Sequence, residues 1–99
     1  MKYITVVRAK LKGSNPQAAH DATVEQLSVM TRPMGAIGHQ AYLNPQDPTQ
    51  FLAMDTWNNL EGLQKFMSNP DVAAAFGQLF DGMPDISIWG ESGWATFSD

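Results

Sequence analysis

Two histidines and one carboxylate are the side chains of this chain most suited to moving a proton. Asp55 stands two residues before Trp57 near the end of the run 51–57. Strand alternation puts Phe51, Ala53, Asp55 and Trp57 on one face, with Leu52, Met54 and Thr56 on the other. A carboxylate between Ala53 and Trp57 sits in apolar company and can accept a proton; the plainer alternative is a surface or helix-capping carboxylate beside a core tryptophan. His39 lies within the run 37–43. If the hairpin joining residues 43 and 51 takes an odd-length register, His39 faces Asp55, and a carboxylate-oriented imidazole is a good general base near neutral pH. A slip of one residue sends it to the opposite face instead. His20 interrupts an apolar helical stripe, so it needs a hydrogen-bond partner in the core or a task such as donating to a developing oxyanion. Two histidines without a clear third ligand do not make a metal site.

Other chemistry is largely excluded. The 99 residues include no cysteine, which removes disulfides, thiolate nucleophiles, iron–sulfur clusters and cysteine zinc sites. Gly35-Ala36-Ile37-Gly38 precedes a strand rather than a helix, so it is no phosphate loop, and no serine elbow is present. Net charge is −4, and Lys2, Arg8, Lys10 and Lys12 account for four of the six basic residues. The acidic remainder argues against a nucleic-acid partner. No segment has the length of a membrane span, and Met1-Lys2 runs into a strand pattern without a signal-peptide layout, so no membrane partner and a cytoplasmic location are expected. Tyr42, Trp89 and Trp94 can line a flat aromatic pocket by stacking, or fill a core or interface.

The elements that must position these groups form one domain over residues 1–99. Residues 3–9 (YITVVRA) read as a first strand. Gly13-Ser14-Asn15-Pro16 opens a helix running from residue 17 to about residue 30, whose core-facing stripe passes through His20, Val24, Leu27 and Met30, flanked by Thr23. Residues 37–43 form the second strand, and 44–48 a turn with two prolines that should not continue a ladder. After the strand 51–57, Asn58 and Asn59 offer helix caps. Leu60, Leu63, Phe66 and Met67 follow at helical spacing, Asn69-Pro70 restarts the helix, and Asp81-Gly82 stops it. Residues 85–89 or beyond give the last strand.

This order, β-α-β-β-α-β, predicts an α+β, ferredoxin-like sheet of four antiparallel strands with helices on one face. The strand 51–57 is apolar on both faces, so the helix-free face should meet a second sheet, which predicts a homodimer.

The pattern of Phe51, three apolar residues, Asp55 and Trp57, followed by Leu63, Phe66, Met67 and Pro70, resembles the antibiotic biosynthesis monooxygenase family. The run 32–38 (RPMGAIG) is similar to that family's turn from its first helix into its second strand, and the likeness spans roughly residues 3 to 94. It implies a dimeric α+β barrel with a pocket between each sheet and its own helices, bordered by Asp55 and Trp57. Haem-degrading members carry a histidine where this chain has Phe66, so no cofactor is expected. The resemblance further implies a cofactor-independent monooxygenase acting on a small aromatic or quinol-like molecule. His39, Asp55 and His20 would serve catalysis, and Trp57, Tyr42, Phe66 and Trp89 would hold substrate. The alternatives are a non-catalytic module that binds a small hydrophobic ligand or serves a stress response, and a cofactor-free isomerase or cyclase on the same fold.

Overall fold

The computed structural model describes residues 1–98. Its elements run β1 (Tyr3–Lys10), α1 (Pro16–Thr31), β2 (Ala36–Asn44), β3 (Asp47–Trp57), α2 (Leu60–Met67), α3 (Pro70–Leu79) and β4 (Asp85–Gly90). The strands form one antiparallel sheet in the order β2-β3-β1-β4. This is the expected α+β, ferredoxin-like architecture, with the second helix broken in two.

The breaks and starts follow from local chemistry. Asn15, Asn59 and Asn69 each accept a backbone N–H in the first turn of α1, α2 and α3, from Ala18, Gly62 and Asp71 respectively. Proline opens α1 and α3, where its missing N–H costs nothing. Between the two candidate caps for α2, Asn59 holds the position, while the Asn58 amide donates to the Gly35 carbonyl.

Strand β3 begins four residues earlier than the expected start at Phe51, and Pro48 lies inside it. The ladder accommodates the proline through an irregularity: Asn44 pairs with Asp47, but the next β2 residue, Leu43, pairs with Phe51. The tight turn at Pro45-Gln46 is held by the Asn44 side chain, which accepts from the amides of Gln46 and Asp47. Continuing the Asn44–Asp47 pairing without that irregularity would set His39 opposite Leu52 on the helix-free face. The three intervening residues, an odd number, reverse the parity and set His39 opposite Asp55.

Two apolar clusters fill the space between sheet and helices. Val7, Leu11, Phe51, Ala53, Leu79 and Phe80 make one, and Trp57, Leu63, Phe66 and Val72 the other. Helix α1 turns His20, Thr23, Val24, Leu27 and Met30 inward, the stripe expected from its sequence, yet only Thr31 of that helix is fully buried. It therefore stands off the sheet along much of its length.

Gly62 fixes where α2 meets the turn after α1. A Cβ there would lie 1.9 Å from the Met34 carbonyl oxygen, so the backbones could not keep their present distance. Alanine is the better helix former by about 1 kcal/mol, and at an open site Gly62→Ala would stabilise. Here the overpacking should cost about 1–3 kcal/mol net. Thermal unfolding should show the midpoint falling rather than rising.

Candidate active site

The sheet row that crosses β2, β3 and β1 on the helix side reads His39, Asp55, Thr5, each paired with the next. Their side chains are connected in the same order. The Thr5 hydroxyl donates to Asp55 Oδ2 at 3.1 Å, and His39 Nδ1 lies 2.5 Å from Asp55 Oδ1. Thr5 is almost wholly buried among apolar neighbours, where an unpaired hydroxyl would be costly, so the bond to Asp55 satisfies it and holds the carboxylate in place. The contact with Asp55 raises the His39 pKa above its ordinary 6.5; burial opposes the shift, and the carboxylate's charge adds to it.

From α1, His20 reaches down so that its Nε2 is 3.0 Å from His39 Nε2, while its Nδ1 lies 2.9 Å from Asp21 Oδ1. A continuous chain of polar contacts thus runs from buried Thr5 through Asp55, His39 and His20 to Asp21, whose side chain is 63% exposed. The His20 ring also packs against Phe51.

These groups border a cavity of about 460 Å³ between the sheet and the inner face of α1, a size suited to a small organic molecule. Val24 and Leu27 of α1, Phe76 of α3, and Phe51, Ala53 and Trp57 of β3 give it apolar walls; Arg32 stands at its border just past the end of α1. Polar side chains reach it from both walls, Thr23, Ser28 and His20 from α1 and His39 and Asp55 from the sheet, so a bound aromatic would meet the His39–Asp55 pair in a mostly apolar cavity that stays open to solvent on one side.

Of the expected site residues, His20, His39, Asp55, Trp57 and Phe66 all line this cavity. Trp57 is 1% exposed and its ring packs on Phe66 with centroids 5.3 Å apart. Its indole nitrogen is buried with no hydrogen-bond partner among the described residues. Tyr42 and Trp89 do not line the cavity, which corrects their expected placement. Tyr42 pairs with Leu52 and Trp89 with Ile4, so strand parity turns both to the helix-free face, where they are half or more exposed. Thr5, Asp21 and Arg32 were not singled out as site residues. Thr5 carried a usable signal, being the one aliphatic hydroxyl on the face Tyr3, Thr5, Val7, Ala9; Asp21 and Arg32 carried none beyond charge near a helix.

No group of three or more His, Cys, Asp or Glu among the described residues is arranged to hold a metal ion. The nearest approach is the histidine pair. With ring centroids 5.1 Å apart and Nε2 atoms 3.0 Å apart, the two nitrogens face each other close to end-on, whereas chelation needs lone pairs converging on a third point.

The raised pKa of His39 sets a sign for stability. A group that binds its proton more tightly in the folded chain stabilises fully below its unfolded value, and that contribution is lost as pH rises through the folded value. The His39–Asp55 pair should therefore be at full strength below pH 6.5 and weaken above it. Thermal midpoints measured from pH 5 to 9 should decline across that upper window, and Asp55→Asn should flatten the decline.

No protein-family model matches the chain, and no curated protein sequence does. Solved structures do. A variant of SnoaB, a cofactor-independent oxygenase from Streptomyces nogalater, superposes with a TM-score of 0.72 at 14% identity, over 94% of this chain and 95% of that one. A Nitrosomonas europaea protein provisionally named an antibiotic biosynthesis monooxygenase gives 0.70 at 17%, over 93% and 91%. A conserved protein from Methanosarcina mazei gives 0.69 at 14%, over 90% and 91%. Likeness at these identities shows a shared fold, the one used by structures bearing the monooxygenase name.

Proposed function

We propose that this chain is a cofactor-independent monooxygenase acting on a small phenolic or quinol-like aromatic, and that it works as a homodimer. The observation that carries the reading is the His39–Asp55 pair, 2.5 Å apart on the wall of an apolar cavity. The fold shared with a structure named as a cofactor-independent oxygenase supports it.

The chemistry starts with proton removal. His39, oriented through Nδ1 by Asp55, takes a proton from a phenolic O–H or an activated ring C–H at Nε2, and the bonding pair stays on the substrate. The resulting anion is electron-rich enough to reduce dioxygen. A C–O bond forms, a proton returns to give a hydroperoxide, and loss of water leaves a carbonyl. One oxygen atom enters the product, the other leaves as water, and the substrate supplies every electron. The apolar walls provided by Val24, Leu27 and Phe76 shield the anion from bulk water.

An oxygen electrode with a reduced quinol or anthrone as substrate tests the reading. Oxygen uptake matched by carbonyl product supports it. Ligand binding without uptake would favour a binding module, and conversion of a ketide-like substrate without uptake would favour an isomerase or cyclase.

The dimer rests on the helix-free sheet face. Ile4, Val6, Leu52 and Met54 lie there half-buried beside exposed Tyr42 and Trp89, a run of apolar surface that a second copy would cover. Met54→Asp would place an unpaired charge at its centre and should split the dimer. Light scattering at micromolar concentration reads this directly: the native chain should have twice the mass of the variant, and a native monomer would end the dimer proposal.

A further inference from the structure

The contact between the two histidines poses a question of proton count. Both Nδ1 atoms face carboxylate oxygens, His39 toward Asp55 at 2.5 Å and His20 toward Asp21 at 2.9 Å. A carboxylate only accepts, so each Nδ1 must carry hydrogen. Two neutral rings protonated in that way would present bare lone pairs to each other across the 3.0 Å between their Nε2 atoms. Moving one ring's hydrogen to Nε2 repairs that contact but leaves the same ring's Nδ1 lone pair against a carboxylate. Each neutral arrangement therefore contains one repulsive contact, and a third proton on the two rings removes it.

We propose that His20 and His39 share one proton between their Nε2 atoms and act as a single acid–base unit, with the closed pair as its proton-loaded state. Its surroundings fit a single positive charge. Asp55 from β3 and Asp21 from α1 flank the pair, Thr5 from β1 fixes Asp55, and α3 contributes only apolar groups such as Phe76 and Leu79 to the cavity. The other cation bordering the cavity is Arg32, also from the α1 side. The upward shift of the His39 pKa agrees with the charge on the pair.

Its part in turnover rests on the oxygenase reading. In the closed pair neither ring has a free lone pair to offer, so substrate is deprotonated by the unloaded, parted pair. His39 Nε2 takes the proton, the electron pair remains with the substrate, and the rings close over the proton. Once dioxygen has added, the pair gives a proton back from Nε2 to the peroxide oxygen, so no net proton is released in a turnover, and the chain through His20 Nδ1 and exposed Asp21 lets the pair exchange protons with water between turnovers. His20 is on this account a positioning and relay residue that acts through His39.

Titration of the imidazole nitrogens by NMR on the histidine-¹⁵N-labelled native chain tests the pair without substrate or oxygen. The expected result is a coupled pair: both rings report one common step, and the next proton enters only at a pH lower by more than about one unit. His20→Gln keeps a side-chain donor within reach of His39 Nε2 but cannot hold the proton. It should collapse the two steps to one and move the His39 midpoint to lower pH, which a packing role alone would not do. Two independent single steps in the native chain, each unmoved by replacing the other histidine, would overturn the proposal and leave the oxygenase reading standing. Coupled titration in a chain that consumes no oxygen would support the pair and defeat the oxygenase reading.

Discussion

His39→Ala should lower substrate-dependent oxygen consumption by about a hundredfold or more, the usual scale for loss of a positioned general base. The fold should survive, for reasons visible in its placement. His39 lies on β2, an edge strand, its side chain is 32% exposed, and it belongs to neither apolar cluster. Asp55 keeps its bond from the Thr5 hydroxyl when the imidazole is gone, so the truncation does not strand a buried carboxylate without a partner. Asp55→Asn should act differently. The amide oxygen can still accept from His39 Nδ1, so orientation is retained, but the hydrogen bond to a carboxylate that chiefly raises the His39 pKa becomes a weaker one to a neutral amide, and the carboxylate's charge is lost with it. The pH dependence of kcat/KM should then shift toward acid, with a smaller loss at its plateau. Full activity in His39→Ala together with loss in Asp55→Asn would move the role of base to Asp55.

The sequence made the architecture legible because each element announced itself by an independent local signal: the β-branched run of residues 3–9, asparagine caps before α2 and α3, and prolines at the starts of α1 and α3. The site was less legible, because it depends on strand register. His39 meets Asp55 only through an irregularity beside Pro48, in a stretch that read as a turn because proline is a poor ladder residue. The same uncertainty misplaced Tyr42: it lies an odd number of residues from His39, and once that register is set it must face away from the cavity. The sequence put His20 on the inward stripe of the first helix but gave no measure of its distance from His39. That distance depends on how far α1 stands off the sheet, a tertiary spacing that no local sequence pattern encodes.

Trp57 separates what holds the fold from what shapes the cavity, and two substitutions should part these roles. Its side chain is the largest that is fully buried, packed with Leu63, Phe66 and Val72. Trp57→Ala should cost about 3–5 kcal/mol, because it loses that apolar area and leaves a void beside an existing cavity. Against a typical stability of about 5–15 kcal/mol, that brings the chain near the edge of folding, and denaturant titration should show the midpoint displaced accordingly. Trp57→Phe is expected to be far milder. It retains most of the ring contact with Phe66, and it removes an indole N–H that is buried without a partner among the described residues, which relieves a penalty of about 1–3 kcal/mol and offsets the lost volume. If the N–H matters to the bound substrate, oxygen consumption in Trp57→Phe should fall while stability holds. Activity retained at equal stability would assign Trp57 to the scaffold alone, with His39 and Asp55 left as the groups that face the chemistry.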